Sequence, residues 1–319
     1  MNKNQIILNP NNAVLTSYLH EDGEVRQCIL VLPGGAYRYC APGEGEPVAL
    51  AFYENGFDAC VLEYSCTDGS FHSPLAGKDE VLTRALEDYQ SAFAYLKENG
   101  YEQDQISVTG FSAGANLALS GVVLKGLHPF SLILGYGTYS GSLMKELGLE
   151  SIDLLEKIDE TMVPVFMFLC QGDSTVPAKE SLDLASALSE HGVPFELHVY
   201  ATGDHGLSLG RKESGVVNRD YATWFDHALA FERNIRRKTP LVLGDLDEDL
   251  SDLSINSRIG ALMYHEEAWK LIEELFPQIA FQAKTDSKIR SVVLQRIWQW
   301  GLVKEPSPEE VNELLKKIR

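Results

Sequence analysis

The chain has 319 residues, is 45% hydrophobic and carries a net charge of −19, with a pI near 4.8. That length suits one large domain plus a smaller one, and the composition supports a sizeable core. So acidic a surface repels phosphate backbones and anionic lipid, which argues against nucleic acid or a membrane surface as partner.

The apolar run near the N-terminus, Ile6–Leu8, is far too short for a signal-peptide core. The longest apolar stretch, Val163–Cys170, is broken by Pro164 and suits a buried strand, not a bilayer span. Gln27–Leu32 reads as a buried strand ending at Pro33-Gly34-Gly35, and Glu46–Glu54 as a short helix stopped by Asn55-Gly56. Phe57–Tyr64 is the next strand. Asp79–Asn99 repeats apolar residues at helical spacing (Val81, Leu82, Leu86, Tyr89, Phe93, Leu96) up to Gly100. Gln105–Thr109 is a strand, Ser112–Leu124 a helix, Phe130–Leu134 and Pro164–Cys170 strands, and Pro177–His191 a helix. Phe195–Tyr200 is a strand and Asn218–Arg237 a helix. Strands apolar throughout and separated by helices predict an α/β fold with a mostly parallel sheet covered on both faces. The expected catalytic domain is residues 1–237. Residues 238–252, with Pro240 and a dense acidic run, read as a linker. Residues 253–319 then form a small all-helical appendage, with helices at Ile255–Leu262, Glu266–Phe276, Ile289–Gly301 and Pro308–Ile318.

Cysteines stand at 28, 40, 60, 66 and 170, an odd number with no C-x-x-C pair. Cys28, Cys60 and Cys170 lie inside strand-like apolar runs, where a free thiol acts as a small hydrophobe. A reduced, cytoplasmic chain without a structural metal is expected.

Ligand sites on parallel sheets lie at the carboxyl ends of strands, so the residues after each strand matter most. Gly110-Phe111-Ser112-Ala113-Gly114 is a G-x-S-x-G between a strand and a helix. A serine must project from a tight strand-to-helix turn, and flanking glycines remove the backbone clash. The helix N-terminus also aims N–H groups at developing negative charge. Pro33-Gly34-Gly35-Ala36-Tyr37 follows the first apolar strand. The amides of Gly35 or Ala36, with that of Ala113, are candidate oxyanion donors, although an ordinary glycine turn explains the loop equally well. Asp173, in Gly172-Asp173-Ser174, could fix a histidine tautomer, while Ser174 or Thr175 caps the helix that follows. His205 lies in Gly203-Asp204-His205-Gly206 after the strand Phe195–Tyr200, with Asp204 a competing acid. His198 falls inside a strand and reads as structural, whereas His72 lies in a loop that could reach the site mouth. Tyr37, Phe111 and Tyr136 are candidate substrate-binding aromatics, although aromatics at strand ends more often pack.

The stretches LPGGAY, EGEPVALAFYENGFDACVLEYS, GFSAGANLALS, QGDSTVPAKESLDLASALSEHGVPFELHVYATGDHGLSL and WFDHALAF together resemble the acetyl-esterase/lipase branch of α/β hydrolases. That branch includes acetyl-xylan-esterase-like carbohydrate esterases, and the resemblance covers roughly residues 25–235. It implies an α/β-hydrolase fold, catalytic Ser112, His205 and Asp173 in the order Ser, Asp, His, and no metal or cofactor. Ala36 stands where the family more often has a third glycine, and residues 136–162 look shorter than its usual insertion. Those residues and 65–78 would shape the acyl and alcohol pockets. The function expected is hydrolysis of short acyl esters, acetyl above all, of small sugars or oligosaccharides. A general carboxylesterase or serine peptidase of the same fold is one rival. A non-catalytic binding or assembly protein is another, and the C-terminal helices are a candidate homo-oligomer contact.

Overall fold

The computed structural model describes residues 1–69, 73–236, 253–290 and 292–318. His72 and the expected linker at 238–252 lie outside these residues. The chain divides into two compact units, 1–235 and 236–319.

The first unit is built on an eight-stranded sheet. Its elements in chain order are β1 (Asn2–Leu8), β2 (Ala13–Leu19), β3 (Cys28–Leu32), α1 (Glu46–Glu54), β4 (Asp58–Glu63), α2 (Val81–Glu98) and β5 (Ile106–Phe111). There follow α3 (Ala113–Lys125), β6 (Leu132–Gly135), α4 (Ser142–Glu146), β7 (Val165–Cys170), α5 (Lys179–Glu190), β8 (Phe195–Tyr200) and α6 (Trp224–Arg236). The sheet order is β1-β2-β4-β3-β5-β6-β7-β8. From β4 to β8 every pair is parallel, whereas β1–β2 and β2–β4 are antiparallel. The fold is therefore the mostly parallel α/β-hydrolase sheet flanked by helices.

The antiparallel hairpin β1–β2 is an addition to the expected strands. Asn2–Gln5 are exposed on the sheet edge, so β1 offers only the three-residue apolar run Ile6–Leu8, although Leu15 and Tyr18 of β2 are buried. The inner strands show why their sequences are apolar without alternation. Leu30 and Leu32 of β3 face one core cluster with α2, α3 and α5, and Ile29 and Val31 face another with α1 and α6. Successive side chains of a strand point to opposite faces, so burial on both requires both sets to be apolar.

In the second unit the helices are α7 (Ile259–Tyr264), α8 (Glu266–Leu275), α9 (Pro277–Thr285), α10 (Ser287–Arg290), α11 (Arg296–Gln299) and α12 (Pro308–Leu315). Helix α9 was not among those expected. Pro277 opens it at the first helical position, where a missing N–H costs nothing. The expected helix 289–301 is replaced by α10 and α11, between which Val293 bridges to Arg258. The unit has its own apolar cluster, including Leu262, Ile272, Ala283 and Leu315.

Candidate active site

Five loops leave the carboxyl ends of β3, β5, β6, β7 and β8, and they carry the candidate residues. Ser112 follows β5 at φ +50°, in the left-handed region. A side chain there costs about 1–3 kcal/mol and persists only where the surroundings enforce it. The glycines of the motif explain how the turn closes. A Cβ on Gly110 would come within 2.3 Å of the Gly114 carbonyl oxygen, and one on Gly114 within 2.0 Å of the Leu32 carbonyl oxygen. Ser112 is the N-cap of α3, yet its hydroxyl caps nothing. It is directed instead to His205 Nε2, at 2.9 Å.

His205 Nδ1 lies 2.8 Å from Asp173 Oδ2. The tautomer with its proton on Nδ1 donates to Asp173 and accepts from the Ser112 hydroxyl, satisfying both contacts. Asp173 Oδ1 accepts the amides of Thr175 (2.9 Å) and Val176 (2.8 Å), so both carboxylate oxygens are engaged. The Asp173 side chain is 1% exposed and that of His205 17%. The structure thus brings Ser112, His205 and Asp173 together in one hydrogen-bonded relay.

Asp204 has another task. It accepts from Ser174 N (2.7 Å), Ser174 Oγ (3.0 Å) and the amide of His205 (2.8 Å). These donors, the Ser174 amide first, hold its carboxyl below the usual range. It latches the Asp173 loop to the His205 loop. The expected capping by Ser174 or Thr175 is not found: α5 begins after Ala178, without a side-chain cap.

The loop after β3 presses on the serine. A Cβ on Gly34 would come within 2.9 Å of Ser112 Cβ and 2.7 Å of the Phe111 carbonyl oxygen. Gly35, Ala36 and Tyr37 all have positive φ, at 119°, 56° and 55°. Among the described residues the amides of Gly35, Ala36 and Ala113 donate to no protein acceptor, which leaves them available to a ligand.

The three candidate substrate-binding aromatics are placed differently from expectation. Tyr37, Phe111 and Tyr136 are at most 1% exposed. Tyr37 donates to Asn116 Oδ1, and Phe111 packs edge-on to Phe168 and Trp224. Tyr136 turns its ring edge to His205, with centroids 4.8 Å apart, and donates its hydroxyl to Glu44 Oε1 at 2.6 Å. None offers an open face to a sugar ring. His198, inside β8, stacks on His227 and approaches Glu196, away from the relay.

Glu44 escaped the sequence reading. It precedes α1 in Gly43-Glu44-Gly45-Glu46, which resembles a solvated acidic turn, and only the tertiary fold buries it to 5% exposure. Its Oε2 accepts the amide of Gly34 at 2.7 Å. Burial pushes its carboxyl above the ordinary glutamate range, against the lowering effect of these two bonds.

Among the described residues no cluster of His, Cys, Asp or Glu could hold a metal ion, and no helix is long and apolar enough to cross a membrane.

Residues 72–233 match the dienelactone hydrolase family. Over 242 residues, 65% of this chain, the sequence is 31% identical to endo-1,4-beta-xylanase B of Butyrivibrio fibrisolvens, though it spans only 37% of that relative's length. The fold is similar to that of an α/β hydrolase enzyme from a Medee basin deep-sea metagenome library, with TM-score 0.65 and 29% identity over 74% of this chain and 98% of that one. It is also similar to an acetyl ester-xyloside bifunctional hydrolase from Caldicellulosiruptor lactoaceticus, with TM-score 0.61 and 25% identity over 71% of this chain and 89% of that one.

Proposed function

We propose a specific activity from the premise that this chain belongs to the dienelactone hydrolase family and is an α/β-fold hydrolase: it is a serine esterase that removes short acyl groups, acetyl above all, from small sugars or oligosaccharides. The observation that carries the catalytic part is the relay from Ser112 Oγ through His205 to Asp173, at 2.9 and 2.8 Å.

In this reading His205 Nε2 takes the Ser112 proton as Oγ attacks the ester carbonyl carbon. The tetrahedral oxyanion lies against the amides of Ala113 and of Gly35 or Ala36, each such donor being worth about 3 kcal/mol in the transition state. The carbon–oxygen bond to the alcohol breaks as His205 returns the proton to it. A water, deprotonated by His205, then attacks the acyl-enzyme, and the acid leaves as Ser112 regains its proton. Asp173 stays ionised throughout and holds Nδ1–H of His205.

The sugar and acetyl assignment rests on relatives, a xylanase and an acetyl ester-xyloside hydrolase by their names. With Tyr37, Phe111 and Tyr136 buried, sugar recognition falls to groups other than these rings. The test is acetate release from acetylated xylo-oligosaccharides set beside p-nitrophenyl esters of increasing chain length. Highest kcat/KM on acetyl esters is expected, and Ser112→Ala lowers kcat by at least about 10³-fold. Preference for acyl chains beyond butyrate overturns the sugar-acetyl reading, and undiminished activity of Ser112→Ala overturns the serine mechanism.

A further inference from the structure

We infer that Glu44 is a positioning residue that ties the oxyanion loop to the histidine loop, so that one buried carboxylate sets both halves of the catalytic geometry. This rests on the esterase reading above.

Glu44 Oε2 takes the amide of Gly34, the residue directly before the candidate oxyanion donors. Its Oε1 takes the hydroxyl of Tyr136, whose ring edge meets the His205 imidazole. Tyr136 Oη in turn accepts the amide of Ser208 at 3.0 Å, three residues past His205. Ser208 Oγ closes the circuit by donating to the carbonyl of Gly43 at 2.7 Å, beside Glu44. The Trp224 indole N–H donates to the Ser208 carbonyl at 2.9 Å and anchors the far side. Every protein donor in this circuit points toward an acceptor, and both oxygens of Glu44 act as acceptors. A carboxylate does this for two donors at once, whereas an amide would turn one N–H against a donor.

The placement has a cost that a purely structural residue need not carry. A carboxyl group is buried without a cationic partner among its hydrogen bonds. Ser208, Tyr136 and Ala36, all bound into these loops, have positive φ. Strain of that kind collects where geometry must be held against relaxation. The titratable groups facing Glu44 are Tyr136, Tyr64, Tyr221 and His205, and His205 also meets Asp173 and Asp204.

The experiment measures kcat and KM for p-nitrophenyl acetate across pH, with enzyme concentration fixed by fluorophosphonate titration. Wild type, Glu44→Gln, Tyr136→Phe and the double variant are compared. We expect Glu44→Gln to lower kcat about 10- to 100-fold with KM changed less than about threefold. Its acid limb of kcat should lose one ionisation, because the Glu44 carboxyl no longer titrates. The double variant should lose no more than the worse single one, because both break one circuit. A kcat within twofold of wild type, an unchanged acid limb, or additive losses would overturn the inference. Should Glu44→Gln not fold, Tyr136→Phe decides alone. It keeps the ring against His205 and leaves Glu44 short of a donor, so its acid limb should move to higher pH. No movement there rejects the coupling. If wild type itself is neither labelled nor active, the esterase reading has failed instead.

Discussion

Backbone strain concentrates at the site. Ala36, Tyr37, Ser112, Tyr136 and Ser208 all have positive φ, and only Asn12 shares this among the other described non-glycine residues. Each costs about 1–3 kcal/mol, so the surrounding contacts must hold them. Gly34 shows how tightly. A Cβ there would meet Glu44 Oε2 at 2.6 Å as well as the Phe111 carbonyl and Ser112. Gly34→Ala should therefore lower both melting temperature and kcat, and an unaltered kcat would show that the loop has slack. Glu44 also fixes a sign for stability. Its folded-state pKa is raised by burial above the unfolded value of about 4.3. Its contribution to stability is thus fully present below that value and is lost as pH rises through the folded-state pKa. The unfolding free energy of wild type minus that of Glu44→Gln should fall in urea titrations as pH rises above the unfolded value of about 4.3. A pH-independent difference contradicts a Glu44 carboxyl whose pKa is raised by burial. Of the site, Ser112, Asp173 and His205 were legible because each lies on a glycine-flanked loop following a strand. Glu44 was not, because nothing local distinguishes it from Glu46, which is exposed enough to pair with Lys3.

Among the elements, the aromatic wall between β5, β7 and α6 supports the relay from below. Phe168 stacks on Trp224 with centroids 3.9 Å apart, and both meet Phe111 edge-on. Phe168 also meets Tyr136, the residue against His205. Phe168→Ala should cost about 3–5 kcal/mol in unfolding free energy. It should lower kcat as well, because the Tyr136 ring loses its backing. A stability loss with unaltered kcat would separate the wall from the site. In the C-terminal helices, Ser307 and Glu310 form a reciprocal capping box at the start of α12. Ser307→Ala should cost that helix about 1 kcal/mol. The inner parallel strands β3 to β7 were legible as apolar runs because both of their faces are buried. The edge strand β1 was not, since an edge strand needs little apolar surface. Helix α9 went unread because its first residue, Pro277, looks like a breaker when it is a starter.

For the whole molecule, the C-terminal unit holds its own apolar cluster, which shares no residue with the two clusters of the first unit. Residues 1–236 contain every group of the proposed relay and of the Glu44 circuit. We therefore propose that a chain ending at 239 keeps the esterase activity, and that the helical unit serves association. Removing 240–319 should then lower the mass in solution to that of one copy. An unchanged oligomer would detach association from these helices. The net charge of −19 is a property of the surface. It predicts that uncharged acyl esters are hydrolysed faster than anionic ones of equal size, with the gap narrowing as salt is added.

We propose that Ser112 is a nucleophile activated by His205. The most direct measurement is mass spectrometry of proteolytic fragments after fluorophosphonate treatment of wild type, Ser112→Ala and His205→Gln. The expected result is one phosphonyl adduct on the fragment holding Ser112, absent from Ser112→Ala and formed at least about 10³-fold more slowly in His205→Gln. An adduct on another residue, or labelling at an equal rate in all three proteins, would contradict it.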